Sequence, residues 1–146
     1  MTTAMSAADV AARLNAQLPG SVVESTNQAI VVNGESLTGV ASFLKNTPDL
    51  CFDYLTSLTA VDYWDYYEVV YHLLSLEKNH ALTMKVRCPG RDNQRVPSVM
   101  QVWQSADFQE REVFDMFGIR FDGRPNIKRL FMWEGFQGHP LRRDYL

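Results

Sequence analysis

Cysteine is scarce in this sequence of 146 residues, since Cys51 and Cys88 are its only two. They lie far apart in the chain, and neither belongs to a Cys-x-x-Cys or Cys/His motif. The sequence therefore gives no indication of a zinc site, an iron–sulfur site or a disulfide framework. A chain of this length buries roughly 70% of its unfolded surface, so we expect both cysteines to be ordinary core residues.

Long apolar runs are also missing. No stretch approaches the roughly 18 apolar residues that a membrane-spanning helix needs. The N-terminal segment, Met1 to Leu18, has no basic stretch followed by an apolar run, which is the pattern of a signal peptide. We therefore expect a chain that is not secreted and that reaches a membrane only through partner proteins.

Sequence motifs of self-contained catalysis are absent as well. The three histidines, His72, His80 and His139, form no metal-ligand pattern, and no P-loop, dinucleotide-binding or serine-nucleophile motif occurs. We expect the chain itself to bind no metal or cofactor. A free-standing enzyme is the alternative, and it would require a cofactor or an activity in the isolated chain.

Charge is present in both signs but is unevenly distributed. The 14 Lys and Arg residues against 17 Asp and Glu give a net charge of −3, which disfavours a dedicated nucleic-acid-binding protein. Residues 1–117 have 8 basic and 14 acidic side chains, a net charge of −6, whereas residues 118–146 have 6 and 3, a net charge of +3. The C-terminal part therefore differs in character from the rest.

The order of periodic segments predicts a two-layer α+β domain. Helical spacing predicts two short helices, one over residues 6–18 capped by Ser6 and one from Ser36 to the break at Thr47-Pro48. β-Branched residues predict a hairpin over 21–25 and 29–33, and alternation predicts an antiparallel meander of strands over 54–63, 66–76 and 81–87. The order helix-β-β-helix-β-β-β suggests a mostly antiparallel sheet with both helices on one face.

Two more helices are predicted after this meander. The first is short, opens at Pro97-Ser98 and includes Val99, Val102 and Trp103. In the second, Asp107 and Glu110 form a variant of the capping box, and Gly118 suits the position after the helix. Beyond Gly118 no periodicity holds, so we divide the chain into a domain of residues 1–118 and an extended C-terminal strap, residues 119–146.

The last predicted helix concentrates charged residues. A close pair among Glu110, Glu112 and Asp115 could perform acid–base chemistry. Structural and docking roles are favoured instead, because Arg111 and Asp115 are spaced to pair and carboxylates near a helix N-terminus are stabilised by its dipole.

The strap combines arginines with aromatic residues. Such a mixture can bind single-stranded nucleic acid by stacking and charge, but the same residue types are enriched at protein interfaces, and acidic residues are interspersed among them. We favour a protein partner. The candidate interface comprises Glu110, Arg111, Glu112, Asp115, Arg120, Arg124, Arg129, His139, Arg142, Arg143, Asp144 and Tyr145.

Residues 110–119, with the sequence EREVFDMFGI, closely resemble the signature of the C subunit of respiratory complex I, also known as its thirty-kilodalton subunit. Further segments resemble that family in the same order, so that the resemblance covers roughly residues 50–146. These segments are residues 53–56, 59–62, 71–76, 96–99 and 138–145.

The resemblance implies a non-catalytic structural subunit in the hydrophilic arm of an NADH:quinone oxidoreductase. It implies the larger quinone-site subunit and iron–sulfur subunits as partners, with NADH, flavin, iron–sulfur clusters and quinone bound there. It also implies a peripheral position on the cytoplasmic side of the membrane, supporting a proton-translocating complex. Ferredoxin:quinone oxidoreductases and membrane-bound energy-converting hydrogenases have the equivalent subunit, so the electron donor stays open.

Overall fold

A computed structural model describes residues 3–4, 6–26, 29–89 and 95–123 of the chain. Helices and strands alternate within these residues much as the sequence predicts. Their order is β1 (Thr3–Ala4), α1 (Ala7–Gln17), β2 (Val22–Ser25), β3 (Ala29–Val32), α2 (Leu37–Asn46), β4 (Tyr54–Asp62), β5 (Tyr66–Ser75), β6 (His80–Pro89), β7 (Arg95–Pro97), α3 (Ala106–Phe117) and β8 (Arg120–Asp122).

The main sheet has the strand order β2-β3-β6-β5-β4, and β1 pairs with β6 beside this path. The hairpin β2–β3 and the meander β4–β5–β6 are antiparallel, which confirms the prediction for both. The two units are joined by a parallel pair, β3 with β6, in which Ile30 lies opposite Met84. The sheet is therefore mixed, although most of its pairs are antiparallel.

One face of this sheet packs against α1 and α2. Alternate residues of β5, among them Tyr67, Val69 and Tyr71, are buried there, and they form one cluster with Val10 of α1 and Val40 of α2. The predicted two-layer α+β fold is confirmed. None of the helices in the described ranges is long and apolar enough to cross a membrane.

The first helix begins as predicted, whereas the second does not. The Ser6 side chain accepts a hydrogen bond from the backbone N–H of Asp9 at 3.4 Å. Ser36 makes no such bond before α2. Instead the Asn33 side chain accepts from the N–H of Glu35 at 3.1 Å and caps a short 3-10 turn, Gly34–Ser36, that leads into α2.

The predicted short helix after Pro97 is wrong. Residues 95–97 form strand β7, which pairs in parallel with β8, and the Ser98 N–H continues this pairing by donating to the Asp122 carbonyl at 2.8 Å. Only turns follow, in which Val102 and Trp103 both donate to the Val99 carbonyl. Pro97 and Ser98, which were predicted to open the helix, are instead taken up by the pairing with β8.

The boundaries of α3 differ from the prediction at one end. The helix begins at Ala106, so Asp107 lies in its first turn and is not the cap. At the other end Gly118 has φ 83°, and its N–H donates to the Phe114 carbonyl at 2.8 Å. Glycine suits this left-handed conformation, so the predicted helix end is confirmed.

The beginning of the C-terminal strap folds onto the domain. Ile119 and Phe121 are buried in the core cluster, and β8 pairs with β7. Residues 124–146 lie outside the described residues. The partner-binding role of the strap therefore stays a prediction.

Candidate partner-binding interface

Helix α3 lies along the outer edge of β4, the last strand of the main sheet. The Ser105 hydroxyl donates to the Leu55 carbonyl at 2.9 Å, and the Gln109 side-chain oxygen accepts from the Leu58 N–H. These two side chains, one helical turn apart, bond to backbone groups that an edge strand otherwise presents to another strand. The segment that resembles the complex I signature therefore has a fixed position on the sheet.

Glu110 is fully buried within this chain. Its carboxylate accepts hydrogen bonds from the Ser98 hydroxyl at 2.6 Å and from the Val99 N–H at 2.9 Å. Burial, and after it the Glu110 charge, raises the pKa of Tyr71 well above its usual value. Glu110 therefore organises the segment before α3, which is a role that a capping-box interpretation does not give it.

The predicted ion pair between Arg111 and Asp115 is wrong. Arg111 Nε lies 3.9 Å from the carboxylate of Asp107, one turn earlier in the helix. Asp115 is fully buried, because it lies on the side of α3 that faces the core together with Glu110 and Val113. The helix thus buries two of the carboxylates that the sequence assigned to the interface.

The outer side of α3 retains accessible residues. Glu112 and Arg120 are exposed, and Arg111 is partly exposed. Phe108, which is not among the predicted interface residues, is 56% exposed in the first half of the helix. The Arg120 guanidinium lies 5.7 Å from the centre of the Phe114 ring. These residues form the described part of the candidate interface.

Seven predicted interface residues lie outside the described residues, so their place in the candidate interface stays a prediction. They are Arg124, Arg129, His139, Arg142, Arg143, Asp144 and Tyr145.

A charged cluster on the opposite face of the sheet was not predicted. Glu68 is 3% exposed, and its two carboxylate oxygens lie 3.7 Å from Lys85 Nζ and 3.3 Å from Arg87 Nε. Arg87 also contacts Glu24 at 3.1 Å. Alternation along β5 places Glu68 on the face away from the helices. Its partners Lys85 and Arg87 come from β6, and Arg87 in turn contacts Glu24 of β2, which no local pattern in the sequence reveals.

The two cysteines occupy different environments. Cys88 is buried as expected, and burial raises its pKa to about 11. Cys51 is only partly buried, with φ 47° and its Sγ 3.5 Å from the Glu77 carboxylate, so the expectation of a core position is wrong for this residue. Across the described ranges, no group of three or more histidine, cysteine or acidic residues is arranged to hold a metal.

A comparison with known protein families shows which family this chain belongs to. Residues 30–146 match the family model described as respiratory-chain NADH dehydrogenase, 30 kDa subunit. The chain belongs to this family. The match includes all of α3 and the charged residues of its outer side, and it confirms the resemblance seen in the sequence.

Individual members of the family are similar over most of their length. The C subunit of the NADH-quinone oxidoreductase of Roseiflexus castenholzii is 42% identical over 142 residues, which cover 92% of this chain and 81% of that protein. The protein of the same name from Dinoroseobacter shibae is 38% identical over 152 residues, covering 98% of this chain and 70% of that protein.

A solved structure shares the fold. A chain of the membrane-bound sulfane sulfur reductase, an archaeal respiratory membrane complex, superposes with a TM-score of 0.75 and covers 94% of this chain and 84% of its own. Its sequence is 23% identical, so this likeness concerns the fold alone.

Proposed function

We propose that this chain is the C subunit of a complex I type NADH–quinone oxidoreductase and contributes structure without catalysis. The observation that carries the proposal is the family match over residues 30–146, together with relatives of that name that are about 40% identical over nearly the whole chain. The structural role is supported by α3, which Ser105 and Gln109 attach to the edge of β4 and whose outer side keeps accessible charged residues.

In this proposal the reacting groups belong to other subunits. NADH, flavin, iron–sulfur clusters and quinone are bound by partners, and this chain is in contact with the larger quinone-site subunit and the iron–sulfur subunits. The chain is peripheral and lies on the cytoplasmic side of the membrane. Its contribution is to stabilise the quinone-reducing module of a proton-translocating complex.

Affinity purification of the tagged full chain from membranes of its native host tests this proposal. We expect the quinone-site and iron–sulfur subunits to copurify, with quinone reduction by NADH in the same fraction. Recovery of none of these subunits would contradict the proposal. Reduction by ferredoxin but not by NADH would instead assign the chain to the equivalent subunit of a ferredoxin-dependent enzyme.

A further inference from the structure

The turn between β4 and β5 presents three exposed side chains in a row. Tyr63 is 45% exposed, Trp64 is 50% exposed, and Asp65 is exposed beside them. They belong to consecutive residues, whose Cα atoms are about 3.8 Å apart, so one surface of a partner can contact all three. Together with Tyr66 they form the aromatic turn, residues 63–66.

The backbone holds Trp64 in a conformation that tryptophan rarely adopts. Its φ is 71°, in the left-handed region where glycine is the usual residue. The Trp64 N–H donates to the Asp62 carboxylate at 2.9 Å. The Tyr63 N–H donates to the Tyr66 carbonyl at 3.0 Å and closes the turn. Backbone strain of this kind is concentrated at functional sites, and here it holds a large aromatic side chain at the surface.

The ring of Tyr63 is held in place by neighbouring side chains. It stacks on the Tyr66 ring, with 5.2 Å between the two centres and 29° between the planes. The Arg87 guanidinium lies 5.9 Å from the centre of the Tyr66 ring. Carboxylates of Glu68 and Glu24 fix Arg87 at 3.3 and 3.1 Å. Binding at the aromatic turn therefore costs little side-chain entropy, because its rings are already positioned.

The charge of the aromatic turn favours a basic group on the partner. Asp65 forms no ion pair with any residue in the described ranges, and Arg87 is already paired with two carboxylates. Aromatic faces also attract cations. The carboxylate of Asp65 disfavours an anionic lipid surface or a nucleic acid, whereas the carboxylate and the rings both attract a lysine or arginine side chain.

The aromatic turn lies at the same end of the sheet as the C-terminal end of α3. The ring of Tyr67, the residue after Tyr66, lies 6.4 Å from the Phe117 ring and meets it edge-on. Phe117 is the last residue of α3. A subunit that contacts the end of this helix is therefore close to the turn.

We propose that the aromatic turn is a second contact site for another subunit of the complex. Trp64 and Tyr63 enter an apolar pocket of that subunit, and Asp65 pairs with a lysine or arginine at the rim of the pocket. Tryptophan and tyrosine are enriched among the residues that dominate the binding energy of protein interfaces, where polar contacts surround them. This inference rests on the proposed function and adds the position and the chemistry of a contact.

Hydroxyl-radical footprinting of the purified complex and of the free full-length chain measures burial of the turn directly, because exposed tyrosine and tryptophan side chains are readily oxidised. We expect oxidation of Tyr63 and Trp64 to fall about fivefold on assembly, since a pocket that holds such residues excludes water. Leu76, 65% exposed on the turn at the other end of β5, is the internal control and should be oxidised equally in both. Equal oxidation of Tyr63 and Trp64 in the two samples would overturn the inference.

Substitutions separate binding from folding. Trp64→Gly removes the ring and introduces the residue that suits φ 71°. The melting temperature of the free chain should therefore change little, whereas recovery of the partner subunits should fall about tenfold. Asp65→Lys should also lower recovery, more strongly at low salt than at high salt.

Leu76→Ala and Glu77→Lys are the matched controls, because they change an exposed apolar and an exposed acidic residue on the turn at the other end of β5. Both should leave partner recovery unchanged. A lower melting temperature of Trp64→Gly with full partner recovery would show that the ring serves the fold alone, and the inference would be wrong.

The outcomes separate the two proposals. If the unmodified chain copurifies with its partners and Trp64→Gly does so equally well, the inference is wrong and the proposed function stands. Binding of the free chain to vesicles of phosphatidylcholine and phosphatidylglycerol that is lost in Trp64→Gly would assign the turn to a lipid surface and would also overturn the inference. If the unmodified chain recovers no partner, the proposed function fails, and this inference fails with it.

Discussion

The carboxylate of Glu110 accepts a hydrogen bond from the backbone N–H of Val99 at 2.9 Å, across the turns that connect β7 to α3. The Ser98 hydroxyl donates to the other carboxylate oxygen at 2.6 Å. A buried backbone N–H needs an acceptor, and outside regular structure a side chain has to supply it. Glu110 therefore joins the family's signature helix to the segment before it, independently of any partner.

Replacing Glu110 by Ala should destabilise the free chain by about 3 kcal/mol, because two hydrogen bonds to a charged acceptor are lost and the Val99 N–H is left buried. Urea unfolding of the full-length chain measures this change. Glu112→Ala, two residues along the helix at an exposed position, is the control and should stay within about 0.5 kcal/mol of the wild type. Equal losses in the two variants would mean that the contact with Val99 contributes little.

A second prediction concerns the edge of the sheet. Gln109→Ala removes the acceptor of the Leu58 N–H and uncovers part of the edge of β4. We expect a loss of about 1–2 kcal/mol together with self-association that rises with concentration, since an uncovered edge can pair with another chain. Analytical ultracentrifugation measures the association, and exposed Gln104→Ala is the control. A variant that stays monomeric at all concentrations would show that Gln109 does not protect this edge.

The sequence predicts the parts of this fold that depend on local patterns. Ser6 precedes a clear apolar period, and Gly118 follows one, so both helix ends can be recognised. The prediction is wrong after Pro97, because the chain there pairs with β8, a strand that follows only after the whole of α3. The prediction is also wrong for the ion-pair partner of Arg111. Helical spacing allows Arg111 to pair with either Asp107 or Asp115, and the burial of Asp115 in the core leaves Asp107 as the partner.

The candidate interface is predictable to a smaller degree for the same reason. The family signature identifies α3, but it does not tell which charged residues of the helix are exposed and can therefore contact a partner. Their exposure depends on how the helix lies against β4. Glu110 and Asp115 face inward, whereas Glu112 faces outward. Gln109 was missed because its partner, the Leu58 N–H, is 51 residues away in the sequence.

A third prediction concerns Asp49, whose carboxylate oxygens each accept a hydrogen bond from Arg13 at 2.8 Å. These bonds hold the pKa of Asp49 below its usual value, with a smaller contribution from the charge of Lys78. A lowered pKa means that the pair stabilises the folded chain above the pKa of the unfolded state. This contribution is lost as the pH falls through the lowered value.

Arg13→Gln should therefore raise the pKa of Asp49, which an NMR titration of its side-chain carboxyl carbon measures. The free energy of unfolding of the variant should approach that of the wild type as the pH falls from about 5 to about 2. Lys78→Gln is the matched control and should raise the same pKa less. A stability difference that persists unchanged at the lower pH would contradict an origin in this ion pair.

The last prediction concerns the two thiols, which report on different parts of the fold. Burial raises the pKa of Cys88 to about 11, so that only about one molecule in a thousand has the reactive thiolate at pH 8. The Cys88 side chain, which belongs to β6, is also buried in the core cluster. Cys51 also has a raised pKa, chiefly from desolvation, but it is partly exposed.

In folded protein at pH 8 we expect iodoacetamide to modify Cys51 slowly and Cys88 only when the chain unfolds. Mass spectrometry of peptides after timed labelling distinguishes the two sites. In Cys51→Ser the remaining labelling should then follow global unfolding, and its rate should rise in parallel with the unfolded fraction as urea is added. Modification of Cys88 as fast as Cys51 in the absence of urea would show that the sheet opens locally at the end of β6, where Cys88 lies opposite Tyr67 of β5.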